Sequence, residues 1–148
     1  MIKIEKMEQK DTKIVLSMMQ VFYNSPAVLH QVSQEVLKCD IEACVNDNPY
    51  IEGFVFKEKE NVAGYAMIAK SFSTEFGGVC IWIEDIYIQP EYRGKGIGTQ
   101  FFQYLEENFR EKAVLFKLEV ERSNTQAITV YKKCGYQELP YMEMIKER

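Results

Sequence analysis

The chain of 148 residues holds one histidine, one tryptophan and four cysteines. None of the cysteines forms a Cys-x-x-Cys pair, and His30 is the only imidazole, so a zinc centre on the usual ligand spacings is not expected. For the same reason no cysteine is expected to act as a nucleophile. Cys39, Cys44, Cys80 and Cys134 read instead as free thiols of a reducing compartment, which points to a cytoplasmic protein. Long apolar runs are missing too: no stretch approaches the roughly 20 residues of a membrane span. The opening MIKIEKMEQKDTK has no apolar core of the kind that marks a secretory leader. Apart from one short loop there is no basic run, and the formal charge is −4. That balance argues against a nucleic-acid backbone as ligand and mildly favours a cationic small molecule. Repeats, low-complexity tracts and linkers are absent.

What remains is a chain 47% apolar and 27% charged, enough for one domain, residues 1–148, with a core of its own. Residues 2–6, IKIEK, alternate as a strand. Asp11 or Thr12 caps a helix to about Tyr23, with Ile14, Leu16, Met18, Met19 and Phe22 available for burial. A second helix runs from about Gln31 to Val45. The runs 50–56 and 62–72, joined by KEKEN, predict a hairpin. VCIWIEDIYI, 79–88, is the strongest strand pattern and ends at Pro90. Ile97, Phe101, Leu105 and Phe109 then make a helical stripe. AVLFKLEV, 113–120, alternates again, a helix follows from Asn124 to Cys134, and Gly135 stops it. YMEMIK in the tail reads as a last strand. The fold class is therefore α/β with a mixed sheet (α+β in the wider sense), in the order β-α-α-β-β-β-α-β-α-β.

Between the strongest strand and the striped helix lies EYRGKGIGTQFF, 91–102. A strand that feeds a glycine-rich turn into a helix N-terminus makes an anion site, because free N–H groups and the helix dipole face the same point. Arg93 and Lys95 add charge there. A tight turn in which glycines only solve geometry is the plainer alternative. The Walker A pattern is excluded, since Lys95 is followed by Gly96 rather than Ser or Thr. The dinucleotide fingerprint would need a third glycine where Thr99 stands, and only about fifty residues follow the loop.

Arg93-Gly94-Lys95-Gly96-Ile97-Gly98 spells R-x-x-G-x-G, and in this it resembles the acetyl-CoA pyrophosphate loop of the GNAT superfamily of N-acetyltransferases. The likeness continues in Asn124 and Tyr131, seven residues apart within NTQAITVYKKCGY, and in the order of elements along nearly the whole chain. IEDIYI before the loop is similar to the diamine acetyltransferase branch. The resemblance implies acetyl-CoA as co-substrate, with no metal, and transfer to a primary amine. The acceptor is expected to be a small molecule of the diamine, polyamine or aminoglycoside kind, and a protein or peptide N-acetyltransferase is the alternative within the enzyme class. A non-catalytic acyl-CoA-binding module is the rival from another class. A homodimer through the C-terminal strands is compatible with the family and with the apolar YMEMI.

Acetyl transfer to an amine needs a base for the ammonium proton, a donor for the developing oxyanion and a proton for the leaving thiolate. On strand 79–88, simple alternation puts Cys80, Trp82, Glu84, Ile86 and Ile88 on one face, and Ile81, Ile83, Asp85 and Tyr87 on the other. A carboxylate in so apolar a strand is costly unless it opens on a cleft or is paired. The family pattern points to Glu84 as base, acting directly or through water, and to Tyr131 as acid. Packing alone would also explain Tyr131, and helix capping Asn124. For the cofactor the resemblance implies the backbone of Ile86, Tyr87 and Ile88 for pantetheine, where the family's fourth strand bulges away from the fifth. It implies Arg93, Gly94, Lys95, Gly96, Ile97, Gly98 and Thr99 for the pyrophosphate, with Asn124, Ala127 and Tyr131 beside the arm. Tyr23, Glu75, Trp82, Glu84 and Asp85 are the candidates for the acceptor side.

Overall fold

The structure, a computed structural model, describes residues 1–148. Period-two alternation becomes β1 (Ile2–Lys6), and a 3-10 turn leads into α1 (Thr12–Tyr23). Val15, Met18 and Met19 carry the burial of α1, while Ile14 is turned outward, 37% exposed, contrary to its expected place in the core. The second helix, α2 (Gln34–Val45), begins three residues later than expected, because the Ser33 side chain accepts from the Val36 N–H and caps it there. The hairpin is β2 (Ile51–Glu58) and β3 (Asn61–Ser73), turned at Lys59 with φ 57°. Next come β4 (Gly78–Ile88), α3 (Ile97–Asn108), β5 (Ala113–Leu118) and α4 (Thr125–Lys133). Gly135, at φ 95°, ends α4, and the Tyr136 N–H returns to the Tyr131 carbonyl.

The strands lie in sequence order, β1 to β4 antiparallel and β5 parallel to β4. Two apolar clusters sandwich the sheet. Phe54, Phe56, Ile68, Ile81 and Ile83 meet Ile97, Phe101 and Leu105 of α3, the stripe expected from the sequence. On the opposite face Val55, Tyr65, Met67 and Tyr87 meet Met18, Met19, Leu37 and Ile41 of the first two helices. Each cluster needs one helical face and one strand face of matching period, which is what the sequence supplies.

Two expectations are corrected. Met67 pairs with Asp85 and Ile68 with Ile83, so Glu84 has no partner on β3: it is the extra residue of a bulge. Ile86 and Ile88 therefore pack with Ile81 and Ile83 on the α3 side, and Asp85 and Tyr87 turn to the α1–α2 side. The unbroken alternation read from the sequence fails at that point. The last strand is also not formed. Residues 137–148 have no strand, and Tyr141, Met142, Met144 and Ile145 are 69–84% exposed. Pro140 removes a ladder donor, and Glu143 comes close to Glu119 rather than to a cation. Single-edge pairing would have to outweigh both, and the ordering entropy besides.

Candidate active site

The bulge shapes the site. The register between β4 and β5 runs from Val79 opposite Ala113 to Ile83 opposite Leu118 and stops there. Beyond it the strands part, and the β4 edge from Ile86 to Ile88 has no strand on that side. A cleft of about 130 Å³ opens in the fork. Ile83, Glu84, Ile86, Leu118, Glu119 and Glu121 wall it from the strands, Phe22 and Ala27 from α1 and its following loop, and Asn124 and Tyr131 from α4. Three carboxylates line this space and no cation does.

Glu84 reaches the cleft because the bulge excludes it from both cores. Burial pushes its carboxyl above the ordinary value first, and Asp85, Asp40 and Glu143 push it further. Asp85 differs: it is only 3% exposed, accepts from the Tyr23 hydroxyl at 2.6 Å and from Tyr65 at 2.9 Å. Burial raises it, and the two donors pull it back part of the way. Asp40 on α2 is pushed up to about 6 by burial and then by the Asp85 charge. Glu119 is raised by burial, then by Glu143 and Glu84. This side of the cleft is thus a field of acids without a counter-ion.

Tyr131 lies opposite, its ring edge-on to Phe102 at 5.6 Å between centroids. Burial raises its hydroxyl, so it stays protonated and able to donate. The Asn124 side chain accepts from the Ala127 N–H at 3.2 Å, the cap read from the sequence.

The glycine loop ends β4's run. Gly94 and Gly96 hold φ of 74° and 79°, a region that favours glycine, and Gly96 is the N-cap of α3. The first α3 bond to close, from the Gln100 N–H to Gly96, leaves the Ile97, Gly98 and Thr99 amides without a helical partner. A Cβ at Gly98 would meet only the Ile86 and Ile88 side-chain tips at 4.0 Å, so the protein itself does not require glycine there. The free amides at the start of α3 and the two cations make a cradle of the size and charge of a diphosphate. Arg93 donates through Nε to the Ile88 carbonyl at 2.8 Å and lies over the Tyr87 ring at 5.5 Å, bolting the loop to the open strand edge. Lys95 lies over Tyr92.

Of the remaining acceptor candidates, Tyr23 is not among the residues that line the cleft, and its hydroxyl is bound to Asp85. Trp82, half-buried two residues before Glu84, already carries Lys117 over its ring at 5.2 Å. Glu75 is not brought in. It sits exposed in the β3–β4 turn, and the register separates that end of the hairpin from Asp85 by about 20 Å at about 3.3 Å per residue. Tyr65, Asp40, Glu119 and Glu121 escaped the sequence reading. Tyr65 looks like any strand aromatic, and nothing local in 34–45 or 113–121 marks an acid that folding brings beside Glu84. Cys44, buried and pushed up to about 12, is no nucleophile. No three His, Cys, Asp or Glu side chains come together in a way that could hold a metal ion.

A profile of the acetyltransferase (GNAT) family matches residues 15–136. The chain belongs to that family. It is accordingly an acyltransferase, with acetyl-CoA as co-substrate. A thialysine N-epsilon-acetyltransferase of Mus musculus is 29% identical over 152 aligned residues, covering 95% of this chain and 87% of the relative. A Bacillus subtilis (strain 168) protein described as a ribosomal-protein alanine N-acetyltransferase is 35% identical over 62% of this chain and 57% of its own length. Among solved structures, the aminoglycoside N-acetyltransferase AAC(6')-Iy in complex with CoA superposes with a TM-score of 0.81, at 12% identity, over 100% of this chain and 95% of that one. At such identity the superposition shows the shared GNAT fold and nothing narrower.

Proposed function

We propose that this GNAT acetyltransferase moves the acetyl group of acetyl-CoA onto a primary amine of a small cationic molecule, of the diamine, polyamine or aminoglycoside kind, by direct attack. The observation that carries the reading is the cleft at the β4–β5 fork, lined by Glu84, Glu119 and Glu121 with no basic side chain. Alkyl ammonium groups have a pKa near 10.4, so the acceptor arrives charged and is drawn to such a place.

Acetyl-CoA supplies the activated acyl group, and the chain's residues do the rest. The amides of Gly94 to Thr99, with the Thr99 hydroxyl and the Lys95 ammonium, hold the pyrophosphate at the start of α3. Arg93 contributes its free terminal nitrogens there while its Nε secures the loop. The unpaired edge of Ile86, Tyr87 and Ile88 pairs with the pantetheine amides and turns one N–H to the carbonyl oxygen as charge develops on it. Asn124 and Ala127 border the arm at the start of α4.

Glu84 takes the proton from the acceptor ammonium, directly or through one water. Its raised proton affinity makes it a stronger base for the task. Tyr131 gives its hydroxyl proton to the departing thiolate, with no covalent enzyme intermediate. Tyr23, Trp82 and Asp85 are not among the residues that line the cleft and Glu75 lies away from it, so none of the four is assigned direct acceptor contact. Assembly as a homodimer through the exposed apolar tail belongs to the same reading, and light scattering with and without residues 139–148 tests it.

Thiol release from acetyl-CoA, measured across diamines, polyamines, aminoglycosides, thialysine and peptides beginning with alanine, decides the acceptor class. Saturable turnover on small amines supports the proposal. Turnover confined to the peptides replaces it with N-terminal acetylation, for which the Bacillus subtilis relative gives some ground.

A further inference from the structure

Asp85 has the residue type of an acceptor anchor and not the availability. Both oxygens are already taken, Oδ1 by the Tyr23 hydroxyl at 2.6 Å and Oδ2 by Tyr65 at 2.9 Å, and the residue is 3% exposed. Its two partners come from different layers of the fold. Tyr23 is the last residue of α1, directly before the 24–33 segment whose Ala27 walls the cleft, and Tyr65 is a buried residue of β3. Asp85 itself follows the bulge residue, and Met67 is its partner across the ladder where the register slips.

We infer that Asp85, clamped between Tyr23 and Tyr65, is a positioning residue that fixes the β4 bulge and so aims Glu84 into the cleft. A bulge leaves one residue outside the ladder, free to rotate or to slip back into register. Slipping back by one residue would carry Asp85 to the opposite face, away from both tyrosines and into the apolar cluster around Phe101. The two hydroxyl bonds make that alternative costly, so the bulge has one stable register. The same clamp ties the end of α1 to β4, which holds the acceptor wall and the base in a fixed relation.

A second effect is electrostatic. The groups facing Asp85 are Tyr23 on α1, Asp40 and Cys44 on α2, Tyr65 on β3 and Glu84 beside it, and none is a cation. Glu119 and Glu143 face Glu84 from the β5 side. After burial, Asp85 is the largest contributor to the raised proton affinity of Glu84, which makes Glu84 a stronger base.

The inference rests on Glu84 being the base, and the test separates the two. The pH profile of kcat/KM is recorded for the native enzyme and for the Glu84→Gln, Asp85→Asn and Tyr65→Phe variants, on the best amine of the acceptor panel. Asp85→Asn keeps the shape and one acceptor oxygen but removes the charge. It is expected to move the acid limb down by about half to one pH unit and to lower kcat at least tenfold, with KM for acetyl-CoA little changed. Tyr65→Phe, which keeps the ring packing, is expected to lower kcat several-fold and leave the limb within about 0.3 unit. If Asp85→Asn does not fold, Tyr23→Phe takes its place, with the same fall in kcat expected. A kcat within about twofold of native in both Asp85→Asn and Tyr65→Phe, in an enzyme whose limb disappears with Glu84→Gln, overturns the positioning role alone, whereas an unmoved limb in Asp85→Asn overturns only the electrostatic effect. A limb that persists in Glu84→Gln overturns the base assignment beneath it.

Discussion

Replacing Gly64 by alanine tests whether the fork depends on how closely β3 and β4 approach. A Cβ at residue 64 would run into the Tyr87 carbonyl oxygen, with the Ile88 Cα at 3.1 Å and the Phe56 ring at 3.0 Å. Two of these three neighbours are backbone, and the third is a fully buried ring, so none can swing aside cheaply. Gly64 pairs with Ile88 and Tyr65 with Tyr87, hence the strands themselves must separate. Overpacking of this kind costs about 3 kcal/mol, the upper part of the usual range, because the obstruction is main chain. For a chain of this size the melting temperature should fall by roughly 6–12 °C. Tyr87 and Ile88 are also the edge proposed to meet the pantetheine arm, so acetyl-CoA affinity should drop about tenfold. Gly78→Ala is the comparator: its Cβ would meet only the side chain of the exposed Val114, its methyls at 2.7 and 3.0 Å and its Cβ at 3.4 Å, and a small shift of that exposed residue should confine the loss to about 1 kcal/mol. Thermal melts by circular dichroism and calorimetric titration with acetyl-CoA read both effects. A Gly64→Ala protein melting within 1–2 °C of native, with unchanged affinity, would refute the claim of close backbone contact.

Tyr131→Phe should leave the melting temperature unchanged, since the ring keeps its contact with Phe102, while kcat falls by about a hundredfold or more; single-turnover thiol release measures it. Gly96→Ala meets no atom within 4 Å, so its cost is conformational, about 1 kcal/mol at φ 79°, and calorimetry should find acetyl-CoA binding weakened by about fivefold or more. Asp40→Asn should stabilise at pH 8. The folded state raises this carboxyl from 3.8 to about 6, so it binds the proton more tightly than the unfolded chain, and the penalty appears as pH rises through that window. Half-exposure limits the gain to about 1 kcal/mol, shrinking to nothing near pH 4, and urea melts at the two pH values would show it.

The glycine loop, the α3 stripe and the Asn124 cap were legible because each is local: turn chemistry, a 3.6-residue period and a side chain that bonds its own backbone. The bulge was not legible from alternation. VCIWIEDIYI alternates without a break as a string, and only the partner strand decides that Glu84 drops out of register. The missing last strand has the same origin, for YMEMIK has strand composition but nothing to pair with inside the chain. Tyr65 and Asp40 belong to the site through contacts across 20 and more residues of chain, which no periodicity records.

One property of the bulge bears on how far folding and chemistry can be separated in this chain. Glu84 packs in neither apolar cluster and pairs with no strand, so exchanging its side chain disturbs no neighbour on which folding depends. Asp85, one residue on, is the reverse: enclosed and bonded through both oxygens. Adjacent positions thus divide the labour. One holds the scaffold constant, and the other carries a carboxylate whose loss should cost turnover without costing the fold.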